Sequence, residues 1–291
     1  MRYRIADVTV EVRCPRGVAR SDVESRYGAF SVPNGALDLS IDVTADAAFE
    51  NDRAPARPYP GVDARREGDG YRLDRRDVSV VLDVSGTPAR ALGRVADRVS
   101  ALDTVLRACL SVLLPRRRGL LLHASGVADA GRAFLFSGPS GAGKSTAALL
   151  TGAPVVLSDD IVAVTLDGGR AIAHAVPFGG LSAPPSRPLA LPIEVLCLLE
   201  QSDAHRLEPL PPAAVLGRFI SNVLYLPTGD PRTKDLLEVC EGVVRAIPAR
   251  RLRFRRDGGF WEGLRHIGGA PIEGPVSLDH PPGGYYDGGS G

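Results

Sequence analysis

Residues 132–150 read Arg-Ala-Phe-Leu-Phe-Ser-Gly-Pro-Ser-Gly-Ala-Gly-Lys-Ser-Thr-Ala-Ala-Leu-Leu. An apolar run, Ala133 to Phe136, enters a glycine-rich turn, and a second apolar run, Ala147 to Leu150, leaves it. The turn satisfies G-x-x-x-x-G-K-[ST] at every fixed position. The pattern has a physical basis. Glycines let the backbone curl so that several N–H groups converge into an anion nest. A helix starting at its end adds the positive end of its dipole. A lysine supplies a point charge to the outer phosphates, and the following hydroxyl reaches magnesium. Gly138, Pro139, Ser140, Gly141, Ala142, Gly143, Lys144, Ser145 and Thr146 are therefore the candidate triphosphate site, with ATP and Mg2+ as the expected ligands and Ser145 on the metal.

The lysine is informative for a second reason. Of 35 basic residues only Lys144 and Lys234 are lysine; the rest are arginine. Alongside abundant Ala, Gly and Pro, this is the mark of a G- and C-rich coding bias, under which lysine positions drift to arginine. A lysine retained inside a glycine-rich loop stands out against that background.

Working outward, Leu120 to Val127 and Arg132 to Ser137 read as two antiparallel strands closed by Ala128 to Gly131, where Asp129 and Gly131 supply turn chemistry. Pro154 to Ser158 reads as a strand beside that of the loop, ending in Asp159-Asp160. One acid of this pair is suited to hold magnesium and the other to accept a proton from an attacking hydroxyl. His123 ends the apolar run Leu120-Leu121-Leu122, and the hairpin brings it near the loop.

The rest of the chain separates into a β-rich beginning and an α/β remainder. Tyr3, Ile5, Val8, Val10 and Val12 predict a strand, and Leu37, Leu39, Ile41 and Val43 alternate with polar residues as a half-buried strand does. Residues 50–69 read as a loop, and Tyr71 to Leu73 with Val78 to Val84 as a hairpin. Leu92, Val95, Val99, Leu102, Leu106, Cys109 and Leu113 recur at helical spacing and predict one bridging helix with Pro88 in its first turn. Arg116, Arg117 and Arg118 read as a solvated turn. Beyond the acidic pair, Ile161 to Leu166, Ala171 to Val176, Ile193 to Glu200 and Ala249 to Arg255 predict strands; 212–226, 231–245 and Gly259 to His266 predict helices. Arg251, Arg253 and Arg255 would share one face of a solvated edge strand, while Phe260 and Trp261 belong to the core. Pro177-Phe178-Gly179-Gly180 is a candidate lining of an acceptor site. The expected division is 1–115, a β-rich domain with bridging helix; 116–268, a nucleotide-binding domain; and 269–291, a Gly- and Pro-rich disordered tail.

Bulk properties exclude several classes. Net charge is +1, so no global field draws nucleic acid or anionic lipid. No run of about 18 apolar residues offers a membrane span. Cys14, Cys109, Cys197 and Cys240 lack zinc-type spacing and read as isolated buried thiols, which with a charged, alternating N-terminus unlike a signal peptide gives a cytoplasmic expectation.

Together, Leu122-His123, the hairpin, the glycine-rich loop, the short helix and Leu157-Ser158-Asp159-Asp160 resemble the HPr kinase/phosphorylase family, over roughly Leu120 to Pro177. The resemblance implies an α/β fold with a phosphoenolpyruvate-carboxykinase-like P-loop core of mixed sheet, beside a smaller β-rich N-terminal domain. It implies that His123 lies by the phosphates, that Lys144 and Ser145 bind phosphates and magnesium, and that Asp159 or Asp160 is the catalytic base; Asp159 is favoured as base and Asp160 as metal-linked. The stretch VPFGGLSAPPSRP stands where that family carries a Glu-Ile-Arg-Gly-like signature. The chain is therefore more similar to divergent members, including kinases that phosphorylate the C-terminal serine of lasso peptides. The expected activity is ATP- and Mg-dependent phosphorylation of a Ser or Thr hydroxyl. The expected partners are a peptide or small hydroxyl-bearing substrate and a small peptide-carrier protein, and homo-oligomers are a further expectation. Alternatives are a nucleotide-gated switch that hydrolyses ATP slowly, and a kinase of a small hydroxyl metabolite.

Overall fold

The structure is a computed structural model that describes residues 1–13, 18–46, 49, 61–153, 155–178, 188–224, 230, 232–267 and 276–277. It has two mixed sheets and six helices among these residues. The first sheet takes in β1 (Arg2–Ile5), β2 (Val8–Arg13), β3 (Leu39–Ala45), β4 (Asp63–Glu67), β5 (Gly70–Arg75), β6 (Val78–Asp83) and β7 (Ala89–Val95), in the order β1-β2-β3-β7-β6-β5-β4. Helix α1 (Arg20–Tyr27) lies between β2 and β3 in the chain. The single strand expected over Tyr3 to Val12 is instead a hairpin, because Ala6 and Asp7 both take positive φ and reverse the chain. Part of the expected loop at 50–69 is strand: β4 pairs with β5 from Asp63 to Glu67, while 50–60 lie outside the described residues.

The predicted long helix is corrected in its first part. Leu92 and Val95 belong to β7, which runs between β3 and β6, and Leu92 faces solvent. The helical spacing there is coincidental; the buried set is Ala89, Ala91 and Val95, with strand period. Gly93 permits the close approach of β6, since a Cβ there would lie 2.2 Å from the Ser79 carbonyl oxygen. The helix proper, α2 (Val99–Leu113), starts after Asp97 and Arg98. It buries nearly every side chain, touching β6 and β7 of the first sheet and β8 (Gly119–Leu122) of the second. A 3-10 turn, Leu114–Arg117, joins α2 to β8. The arginine run is more engaged than a solvated turn: Arg117 pairs with Asp38 and donates to the Asp7 carbonyl, and Arg116 reaches the Val84 carbonyl.

The second sheet continues with β9 (Ala124–Asp129), β10 (Arg132–Ser137), β11 (Val155–Ser158), β12 (Val162–Asp167), β13 (Arg170–His174), β14 (Ala190–Gln201), β15 (Arg206–Leu210), β16 (Val223–Leu224), β17 (Ala249–Phe254) and β18 (Val276–Ser277). Its main path is β11-β9-β10-β14-β13-β12-β8-β16; β17 branches from β14 and carries β15 and β18. The run expected as one strand from Leu120 to Val127 breaks at His123. Its first part pairs with β12 and β16, its second with β10 and β11. Strand β14 makes the same passage at the other side, pairing with β13 through Pro192 and with β10 from Ile193. Two half-sheets thus meet along β14 and at His123.

Helix α3 (Lys144–Leu150) covers β9 and β10, while α5 (Thr233–Ala246) covers β8, β12 and β13. Helix α4 (Pro212–Ile220) ends before β16, so the helix expected over 212–226 is shorter than its apolar pattern. Helix α6 (Gly259–Ile267) lays Phe260 on Phe136 and Trp261 on Phe134, both edge-to-face, as expected of core aromatics. Alternate residues of β10 therefore feed two cores, Ala133 and Leu135 on one face and Phe134 and Phe136 on the other. Strand β17 is no edge: it lies between β14 and β15, with Arg251 and Arg253 ion-paired to Glu200 and Glu208 and Arg255 to Asp257. Cys109, Cys197 and Cys240 are buried free thiols; Cys14 and most of 269–291 lie outside the described residues. No described helix is long and apolar enough to cross a membrane.

The buried Asp103 of α2 accepts a hydrogen bond from the Tyr27 hydroxyl of α1, with Arg26 3.7 Å away. Removing the hydroxyl leaves a buried carboxylate short of a donor. Tyr27→Phe is expected to lower unfolding free energy by about 1–3 kcal/mol, measured by urea denaturation; an unchanged midpoint would contradict the assigned role.

Candidate active site

Strand β10 ends at Ser137, and the chain turns through Gly138 to Gly143 into α3. Gly141 and Gly143 have φ of 81° and 96°, a region costly for other L-residues. Gly143 is doubly constrained, because a Cβ there would sit 3.0 Å from the Phe254 ring. Pro139, Ser140 and Gly141 are exposed, so the mouth of the loop is open to solvent, while Gly138 and Lys144 are buried.

The Lys144 ammonium folds into the curl and donates to the carbonyls of Gly138 (2.9 Å) and Pro139 (3.2 Å). Burial pushes its pKa down, and the charge of Asp160 opposes that shift. The ammonium thus feels both the loop and Asp160. Buried Ser125 of β9 donates to the Lys144 carbonyl at 2.7 Å, and Gln201 at the end of β14 donates to the Gly141 carbonyl at 2.9 Å. Neither residue carries a motif signal; their position comes from strand pairing.

The acidic pair is where it was expected, by a different route. Strand β11 is separated from β10 by β9. Both neighbours of β9 run antiparallel to it, so β10 and β11 end at the same edge. The Ser145 hydroxyl donates to the Asp159 main-chain carbonyl at 3.0 Å, tying the loop directly to the acidic turn. Ser158 shapes that turn: its hydroxyl accepts from the N–H groups of Asp160 (3.3 Å) and Ile161 (3.1 Å). Asp159 is buried and Asp160 partly exposed.

Asp160 lies between two cationic or donor groups. Its Oδ1 is 3.2 Å from His123 Nδ1, and its Oδ2 accepts from Arg107 Nη1 at 3.1 Å. Burial raises the carboxyl pKa, but the His123 hydrogen bond and the Arg107 charge outweigh it and hold Asp160 below the ordinary carboxylate range. His123 occupies the break between β8 and β9, with its N–H on the Asn222 carbonyl at 2.7 Å. The structure therefore brings His123, Lys144, Ser145, Asp159 and Asp160 together at one sheet edge. Arg107 was not legible in the sequence. It belongs to α2, 53 residues before its partner, and its signal is only a charge among buried positions of an apolar helix. Of the candidate acceptor lining, Phe178 is buried and its carbonyl accepts from Ser158 (3.4 Å); Gly179 and Gly180 lie outside the described residues.

Fold and site define the class as a mixed α/β protein with a strand, glycine-rich loop and helix facing an acidic turn. Residues 96–268 match a family model described as SynChlorMet cassette protein ScmC, and the chain belongs to that family. The match starts one residue after β7 and takes in α2 together with the loop-bearing sheet. No curated protein matches the chain at a significant level.

Gly143→Ala adds a methyl at a positive φ and against Phe254. The substitution is expected to cost about 1–2 kcal/mol of stability from backbone strain, read as a lowered thermal midpoint. A midpoint equal to that of the parent would mean the loop does not hold this conformation.

Proposed function

We propose that this protein is an ATP- and Mg-dependent kinase that transfers the γ-phosphoryl group to a Ser or Thr hydroxyl, most readily one in a peptide. The observation that carries this reading is the 3.0 Å bond from Ser145 to the Asp159 carbonyl, which joins the phosphate-binding pattern and the acid pair into one site. The positive-φ glycines and the buried Lys144 support triphosphate binding by the loop. An antiparallel hairpin ahead of the loop, within a mixed sheet, supports an HPr-kinase-like core of the phosphoenolpyruvate-carboxykinase type over an all-parallel one. Membership in a family described as a cassette protein supports a tailoring role.

The residues also fit magnesium. Among the described residues no three His, Cys, Asp or Glu side chains converge into a cage of their own. The Ser145 hydroxyl and the ionised Asp160 carboxylate form the partial set of oxygen ligands that suits a metal carried in on phosphates. When bound, magnesium offsets charge on the phosphate oxygens.

The chain's own groups divide the remaining work. Lys144 neutralises the outer phosphates and the loop amides fix them. Asp159 accepts the hydroxyl proton as the acceptor oxygen bonds to the γ-phosphorus and the bond to the β-phosphate oxygen breaks, releasing ADP. His123 holds Asp160 and borders the phosphates. Most of the acceleration comes from positioning and charge neutralisation.

Labelled ATP offered with candidate peptides, free serine and free threonine tests the reading. Label is expected in a peptide hydroxyl; label only in free amino acids would make it a small-molecule kinase, and only in inorganic phosphate a switch ATPase. Lys144→Ala and Asp159→Asn should each reduce transfer by at least about 100-fold, within the range for lost transition-state contacts, with far-UV circular dichroism unchanged. Full activity in either variant refutes the role assigned to that residue.

A further inference from the structure

Among the described residues, Arg107 is the cationic partner that the acidic turn receives from outside the loop-bearing sheet. It projects from α2, and its Nη1 donates to Asp160 Oδ2 at 3.1 Å while His123 holds Oδ1 on the other side. The guanidinium is largely buried and lies over the Phe178 ring, 5.3 Å from its centroid. The Phe178 carbonyl accepts from Ser158, whose hydroxyl closes the turn carrying Asp160. The same face thus presents a charge, a stacking surface and a shaped turn to one side chain. One helical turn earlier, on the same face of α2, Asp103 takes the Tyr27 hydroxyl of α1, which ties the helix to α1. Among the described residues, Arg107 Nε is buried without a hydrogen-bond partner.

We propose that Arg107 is a positioning residue of the metal–nucleotide site: from α2 it holds the Asp160 carboxylate in the orientation that receives magnesium. The inference rests on the function proposed above and deepens it. Arg107 touches the ligand-bearing carboxylate and acts through it. Outer partners of metal ligands typically contribute roughly 10–100-fold to metal affinity. The guanidinium also makes the loop-bearing sheet depend on the helix that packs against the N-terminal sheet. A disturbance of α1 or α2 would therefore reach the metal ligand.

The test compares the parent with Arg107→Met, which keeps an apolar stem over Phe178, and Arg107→Lys, which keeps a charge. Binding of ATP is measured by calorimetry in magnesium and in EDTA. In Arg107→Met the affinity in EDTA should stay at the parent's value, while the gain conferred by magnesium should fall roughly tenfold or more; Arg107→Lys should lie between. An unchanged magnesium gain in folded Arg107→Met overturns the proposal, as does an equal loss in both buffers. If the parent binds ATP in neither buffer, the nucleotide reading itself has failed. Crystal structures of the nucleotide-free parent and Arg107→Met then decide: a displaced Asp160 carboxylate upholds positioning by Arg107, and an unmoved one overturns it.

Discussion

The site depends on how an ionised carboxylate is kept in a partly buried position at the edge of a sheet. Asp160 stands at the end of a short edge strand, partly shielded from water. Alone there it would take up a proton or turn outward. Arg107 and His123 hold its two oxygens, Ser158 shapes its backbone, and Ser145 ties the preceding residue to the glycine-rich loop. Four separate elements, α2, the β8–β9 break, β11 and α3, are thereby brought to one point. A buried ion pair is a poor source of net stability, since desolvation offsets much of its attraction. Its presence here is better explained by the orientation it imposes.

The supporting architecture has the same logic. Strand β10 is covered on both faces, with Phe134 and Phe136 under α6 and Leu135 in the opposite core. Each such aromatic or aliphatic side chain contributes about 1.5–3 kcal/mol on burial, enough to hold the loop's starting point rigid. The loop's outer residues remain solvent-facing. Rigidity beneath and openness above suit the proposed role of the loop in receiving a triphosphate.

Membership in the ScmC family, over residues 96–268, places α2 with the loop-bearing sheet in sequence as well as in space. Helix α2 serves both sheets: its Asp103 answers to α1 and its Arg107 to Asp160. The first sheet, which ends at β7, is joined to the second through this helix and through contacts such as Arg117 with Asp38 and Tyr71 with Asp230.

The sequence alone determined what is local. The loop from Gly138 to Thr146, the hairpin before it and the core roles of Phe260 and Trp261 follow from residue type and short spacing, because main-chain conformation and strand period are set within a few residues. The acidic pair was legible for the same reason, as polar residues ending an apolar run. What needed tertiary structure was every relation across the chain. Leu92 and Val95 fit a helical stripe, yet pairing with β3 and β6 made them strand. The run through His123 looked continuous, yet its two parts joined different half-sheets. Arg107 met Asp160 because α2 packs against β8 and so brings this side chain to the acidic turn. Hydrogen-bond ladders and ion pairs form between segments far apart in sequence, so no local pattern can encode which partner is reached.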